Sequence, residues 1–145
     1  MLARTQDVQQ SNIYVAEEDY ERLESLARNF RSAGAALLGR ELERAVVVPD
    51  AQTADGRPFV RLGGLVEYLD PSTGQSRRVE ITTPDAADID EGRLSVLSPV
   101  GAALIGLAAG DSFSWVGEDG RPRAVVVKWV GAPSAPTPDQ LAAKQ

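Results

Sequence analysis

The chain has 145 residues, 43% of them hydrophobic, and a formal net charge of −6 with neither histidine nor cysteine. That length supports one ordinary core with an appendage rather than two full domains, and the missing residue types remove disulfides, thiolate nucleophiles, imidazole bases and the usual zinc sites. The negative balance contains no basic block, which excludes free nucleic acid as a direct partner. No run approaches the ~18 consecutive apolar residues of a membrane span, and the polar start MLARTQDVQQSN has no signal-peptide core. The expected setting is therefore cytoplasmic, with no membrane partner.

In chain order, residues 1–12 are polar and are expected to be flexible. From Glu17 to Phe30 the apolar positions Tyr20, Leu23, Leu26, Ala27 and Phe30 recur at three and four, the spacing of one helix face. Glu17, Glu18 and Asp19 crowd the first turn, where the helix dipole favours negative charge, and they are expected to form a solvated helix end; Ala16 before them is a weak cap. A second helix follows at once. Ser32 is its cap, Ala35, Leu38, Leu42 and Ala45 form its apolar stripe, and Arg40, Glu41, Glu43 and Arg44 fall on the other faces. A short turn joins the two helices, so residues 13–47 are expected to hold an antiparallel helical hairpin, too small to bury a core of its own.

Residues 48–58 are turn-rich and serve as a linker. After them the apolar period becomes two. FVRL, LVEYL, RRVEIT, RLSVL, SFSWV and AVVVKWV, separated by segments such as DPSTG and GEDGRP, predict a small antiparallel sheet of five or six strands. Trp115 and Trp129, at strand spacing, are expected in its core. Residues 132–145, rich in Pro and Ala, are expected to be a disordered tail.

Between RLSVL and SFSWV lies SPVGAALIGLAAGD. Ser98 can cap a short helix, Pro99 suits its first position, and Gly106 can end it. Val100, Ala103, Leu104 and Leu107 would then lie over the sheet, with Gly110 and Asp111 turning the chain into the next strand. The hexamer GAALIG here echoes GAALLG at residues 34–39, and both have the G-x-x-x-x-G spacing of a phosphate-binding loop. Neither is followed by the Lys and Ser/Thr that such a loop needs, so no nucleotide site is expected. The flanks of the two copies share nothing, which makes the echo a coincidence of small, helix-tolerant residues.

Three stretches, DYERLESLA at 19–27, LGRELERA at 38–45 and above all RLSVLSPVGAALIGLAAGDSFSW at 93–115, resemble the Rnk family (regulator of nucleoside diphosphate kinase), short relatives of the Gre transcript-cleavage factors. The resemblance covers roughly residues 13–130. It implies an α+β fold, with a short amino-terminal coiled-coil hairpin followed by an FKBP-like domain at residues 59–131. It also implies docking on bacterial RNA polymerase near the entrance of the secondary channel. The implied contact surface is Ser98, Pro99, Val100, Gly101 and Leu104. In Gre factors a long coiled coil ends in acidic residues that help hold a catalytic Mg²⁺. Here the corresponding tip is Arg28, Asn29, Phe30 and Arg31, continuing through Ser32 and Ala33 to Gly34, and it contains no carboxylate.

Two arginines repel a cation that wants oxygen ligands, so the expectation is a non-cleaving, non-enzymatic regulator without metal or cofactor. It would be monomeric and would compete with Gre-type factors for the same site. Phe30 at the tip is either a staple closing the turn, the favoured reading, or an exposed anchor. Two alternatives stay open: a prolyl isomerase built on the FKBP-like fold, or a dimerising module in which the 35/38/42/45 stripe pairs between protomers.

Overall fold

A computed structural model describes residues 13–49 and 56–131. The expected flexible start and disordered tail lie outside the described residues, as does most of the linker. The chain is α+β. It opens with strand β1 (Tyr14–Ala16), helices α1 (Glu17–Asn29) and α2 (Ala33–Glu43), and strand β2 (Val46–Val48). β1 and β2 pair in parallel, Tyr14 opposite Val46, and the Val46 N–H donates to the Ile13 carbonyl at 2.9 Å. The chain therefore leaves and re-enters the helical pair at one place, which obliges α2 to bring it back to where α1 began. This two-strand clasp has no counterpart in the expected hairpin, because three-residue strands are too short to show a period of two.

The larger sheet contains β3 (Leu65–Asp70), β4 (Gln75–Thr82), β5 (Arg93–Ser95), β6 (Ser112–Val116) and β7 (Pro122–Val130) in the order β5-β4-β3-β7-β6. Three of its pairings are antiparallel, but β4 and β5 run parallel, Glu80 opposite Arg93, which corrects the all-antiparallel expectation. The physical reason is the connection. Two 3₁₀ turns, Pro84–Ala86 and Ile89–Glu91, carry the chain back to the start of β4's neighbour instead of reversing it in a tight hairpin. FVRL is likewise not a strand. Phe59 forms only an isolated bridge with Ala108, and Gly63 with φ +86° turns the chain away.

One core serves both halves. Leu23 of α1 and Ala35, Leu38 and Leu42 of α2 join Val66, Ile81, Leu104, Phe113 and Val127 in a single cluster. The α2 stripe is thus consumed within the chain, Leu38 being 0% exposed. That removes the dimerising alternative, which needs the stripe at the surface. Glu41, expected on an outer face, is also buried and pairs with Arg44, whose guanidinium lies 5.9 Å from the Phe113 ring centre. Trp129, expected in the core, stays 41% exposed on the open face of the sheet, where the Arg78 guanidinium stacks 4.6 Å from its ring.

Candidate functional site

The segment from Ser95 to Asp111 is held by its own short polar side chains. The Ser95 hydroxyl accepts from the Leu97 N–H at 3.0 Å, and the Ser98 hydroxyl donates to the Ser95 carbonyl at 2.7 Å while accepting from the Gly101 N–H at 3.0 Å. The last contact caps helix α3 (Pro99–Leu104), with Pro99 in the first turn, where its missing N–H costs nothing. Gly106 follows the helix with φ +86°. A Cβ there would come within 2.9 Å of the Ile13 Cβ and the Tyr14 carbonyl, so the position demands glycine on two counts. Asp111 closes the stretch by accepting from the Ala108 N–H at 3.1 Å, and Arg57 adds a bond to the Ala109 carbonyl at 2.9 Å.

The five expected contact residues divide into two groups. Pro99 is exposed, with Ser98 and Val100 half-buried beside it. Leu104 is fully buried, and Gly101 is enclosed so tightly that a Cβ would overlap the Ser95 carbonyl. Gly101 and Leu104 therefore shape the surface from beneath and cannot themselves face a partner. Ser98, Pro99 and Val100 form one side of a groove of about 590 Å³. Ala36 and Arg40 of α2 line the second side, and Trp115 and Val116 at the end of β6 line the third. Val116, 71% exposed, is the most exposed large hydrophobic side chain on that rim. Of the aromatic side chains in the sheet region only Trp115 reaches the groove, which leaves it short of the aromatic lining a prolyl isomerase needs.

The expected tip residues Arg28, Asn29, Phe30 and Arg31 are all exposed. Arg28 lies 3.7 Å from Glu24, and the Asn29 amide donates to the Ser25 hydroxyl at 3.1 Å. Phe30 does not staple the turn. It is 46% exposed and borders a shallow depression with Leu26 and Pro84. The loop does not stand away from the body either. A Cβ on Gly34 would overlap the Leu97 carbonyl, so the start of α2 is seated directly on the turn that leads into α3. Tip and expected contact surface are neighbours, a relation the sequence could not show. Among the described residues no three acidic side chains are grouped so as to hold a metal ion. No described helix is long and apolar enough to cross a membrane.

The acidic first turn of α1 also has a partner. Arg61 donates from Nε to Asp19 at 2.9 Å and from Nη2 to Glu18 at 2.5 Å. Its bond to Asp19 raises the arginine's pKa above the usual value, although burial acts the other way. Glu17 and Glu18 are exposed, as expected of a solvated helix end, whereas Asp19 is half-buried against Arg61, and no local signal connects it to an arginine beyond the linker.

A family model of the C-terminal part of transcription elongation factors GreA/GreB matches residues 55–130, and one of the Rnk N-terminus matches residues 12–48. A solved prokaryotic transcription elongation factor GreA/GreB from Nitrosomonas europaea superposes with a TM-score of 0.63 at 29% identity, covering 85% of this chain and 100% of that one. Transcription elongation factor GreA of Thermodesulfovibrio yellowstonii is 34% identical over 77 residues, 53% of this chain and 48% of the relative. The chain thus spans about half the length of that relative. The strand, helix and Gly-Asp turn of residues 93–116 accordingly sit in a Gre-type carboxy-terminal domain. The regulator of nucleoside diphosphate kinase of Escherichia coli K12 is 34% identical over 107 residues, which cover 71% of this chain and 76% of the relative. The chain belongs to that Rnk family of Gre relatives.

Proposed function

We propose that the protein is a non-cleaving regulator that binds bacterial RNA polymerase at the site used by Gre-type factors, near the entrance of the secondary channel. It acts by occupancy. The carboxy-terminal domain supplies affinity through Ser98, Pro99 and Val100, and the helical pair supplies position. The observation that carries this reading is the loop at residues 28–34, which offers two arginines and no carboxylate in a chain of Gre ancestry. Water activation by a divalent cation needs oxygen ligands at that place, and guanidinium groups repel the ion instead. Helices of 13 and 11 residues span only about 20 and 16 Å at 1.5 Å per residue, a short reach into any channel. The protein is therefore a regulator and not an enzyme.

Two measurements test the reading. Purified protein should co-elute with core polymerase, and Pro99→Glu should weaken that binding about tenfold, the cost of a 1–2 kcal/mol contact at an interface. Pro99 is exposed and a glutamate suits a first helical turn, so the variant keeps the fold. Added to a backtracked complex, the protein should release no short RNA. Loss of co-elution in the wild type, or strong cleavage, overturns the reading.

A further inference from the structure

Beside the shared core, polar and close backbone contacts hold the joint between the helical pair and the rest of the chain at two ends. At one end the start of α2 rests on Leu97 through Gly34. At the other, β1 and the segment 57–62 converge on Gly106. The Tyr14 N–H donates to the Gly106 carbonyl at 3.0 Å, and the Gly106 N–H donates to the Val60 carbonyl at 2.9 Å. Arg61 leaves from the residue after that bond. Its side chain is only 14% exposed, and its guanidinium spans Asp19 and Glu18 in the first turn of α1. The surroundings are apolar: Leu23, Val60 and Ile105 are each buried.

Apolar contacts of this kind supply affinity but tolerate sliding, because the hydrophobic effect has no direction. A planar guanidinium bonded to two carboxylates is directional, and its fork fits one arrangement of the partner helix.

We propose that Arg61 is a positioning residue that fixes the direction in which α1 and α2 leave the carboxy-terminal domain, and hence where the Arg28–Arg31 loop stands relative to the Ser98–Val100 surface. Without it the shared core and the Tyr14 bond to Gly106 still hold the helical pair on the domain, and its direction varies over a wider range. For polymerase binding the consequence rests on the proposed function. Affinity carried by the carboxy-terminal domain persists, while the ability to exclude a Gre-type competitor, which needs a fixed helical pair, declines.

The chain has no cysteine, so spin labels can be placed at will. Glu21→Cys on α1 and Ser76→Cys on β4, both exposed, report the distance between the helical pair and the sheet by pulsed electron spin resonance. The wild type should give one narrow distribution, and Arg61→Gln a broadened or displaced one with circular dichroism retained. Arg61→Lys keeps the charge but loses the fork and should also broaden it. Should Arg61→Gln fail to fold, the pair Glu18→Ala and Asp19→Ala removes the same bonds from the helix side and should give the same broadening. A wild-type distribution in Arg61→Gln or in the alanine pair overturns the assignment, and so does full rescue by lysine. No polymerase enters this measurement, so broadening in a protein that does not co-elute with polymerase refutes only the functional reading.

Discussion

Gly34 and Gly101 open the two copies of nearly the same small, apolar hexamer, and each proves indispensable for a reason its neighbours do not display. A Cβ at Gly34 would overlap the Leu97 carbonyl, and one at Gly101 the Ser95 carbonyl. Both obstacles are backbone, which cannot rotate aside as a side chain can. Gly34→Ala should therefore destabilise the fold by about 1–3 kcal/mol despite alanine's better helix propensity, as overpacking in a filled interior does. Urea denaturation checks this, and a stabilised variant would show that the contact is loose. In the sequence Gly34 looks like one small residue among several in a helix start, because the carbonyl that requires it lies in a distant part of the chain. Buried Glu41 and exposed Trp129 likewise owe their places to tertiary neighbours. Burial of the first depends on Arg44 and Phe113, and exposure of the second on a sheet face that no described element covers.

Elements whose signals are local were legible. Helix α3 is announced by Ser98, Pro99 and the terminating Gly106, all within a few residues, and the structure uses them in those roles. Ser98 does more than cap. Its hydroxyl joins the Ser95 carbonyl to the Gly101 N–H, so Ser98→Ala should cost about 1–2 kcal/mol, at the upper end for an N-cap. Thermal unfolding measures that loss, and Ser98→Thr should recover most of it. The candidate surface came from the family resemblance instead, and of its five residues Gly101 and Leu104 lie beneath Ser98, Pro99 and Val100 for reasons of packing that no local signal carries. Strand pairing was not legible either. The parallel pairs β1–β2 and β4–β5 join short strands through helices or 3₁₀ turns, and nothing in three residues such as RLS specifies which neighbour they will meet or in which sense.

Across the whole molecule the helical pair and the sheet share one core, so the helical pair is no separate outrigger. Leu38, fully buried between them, joins the two halves. Leu38→Ala should destabilise the protein by about 2–5 kcal/mol, and helical circular dichroism and the fluorescence of Trp115 and Trp129 in the sheet should still report coincident urea transitions, as one cooperative unit requires. Separate midpoints would mean that the halves fold independently. The order of the three helices and of strands β3 to β7 is legible in the sequence, the clasp strands and the absence of a strand at FVRL are not, and the expected appendage follows from counting how little thirty residues can bury. That count was sound; the remedy was docking on the chain's own sheet through Gly34, Leu38 and Arg61.

The clasp in which Tyr14 lies opposite Val46 brings the two boundaries of the helical pair side by side. Extending both arms by matched turns would leave that base unchanged, yet it would lift Gly34 off the Leu97 carbonyl and expose the turn beneath it. The length of the helical pair is thus set at its far end, by the seat of α2 on the sheet domain, and not at the clasp.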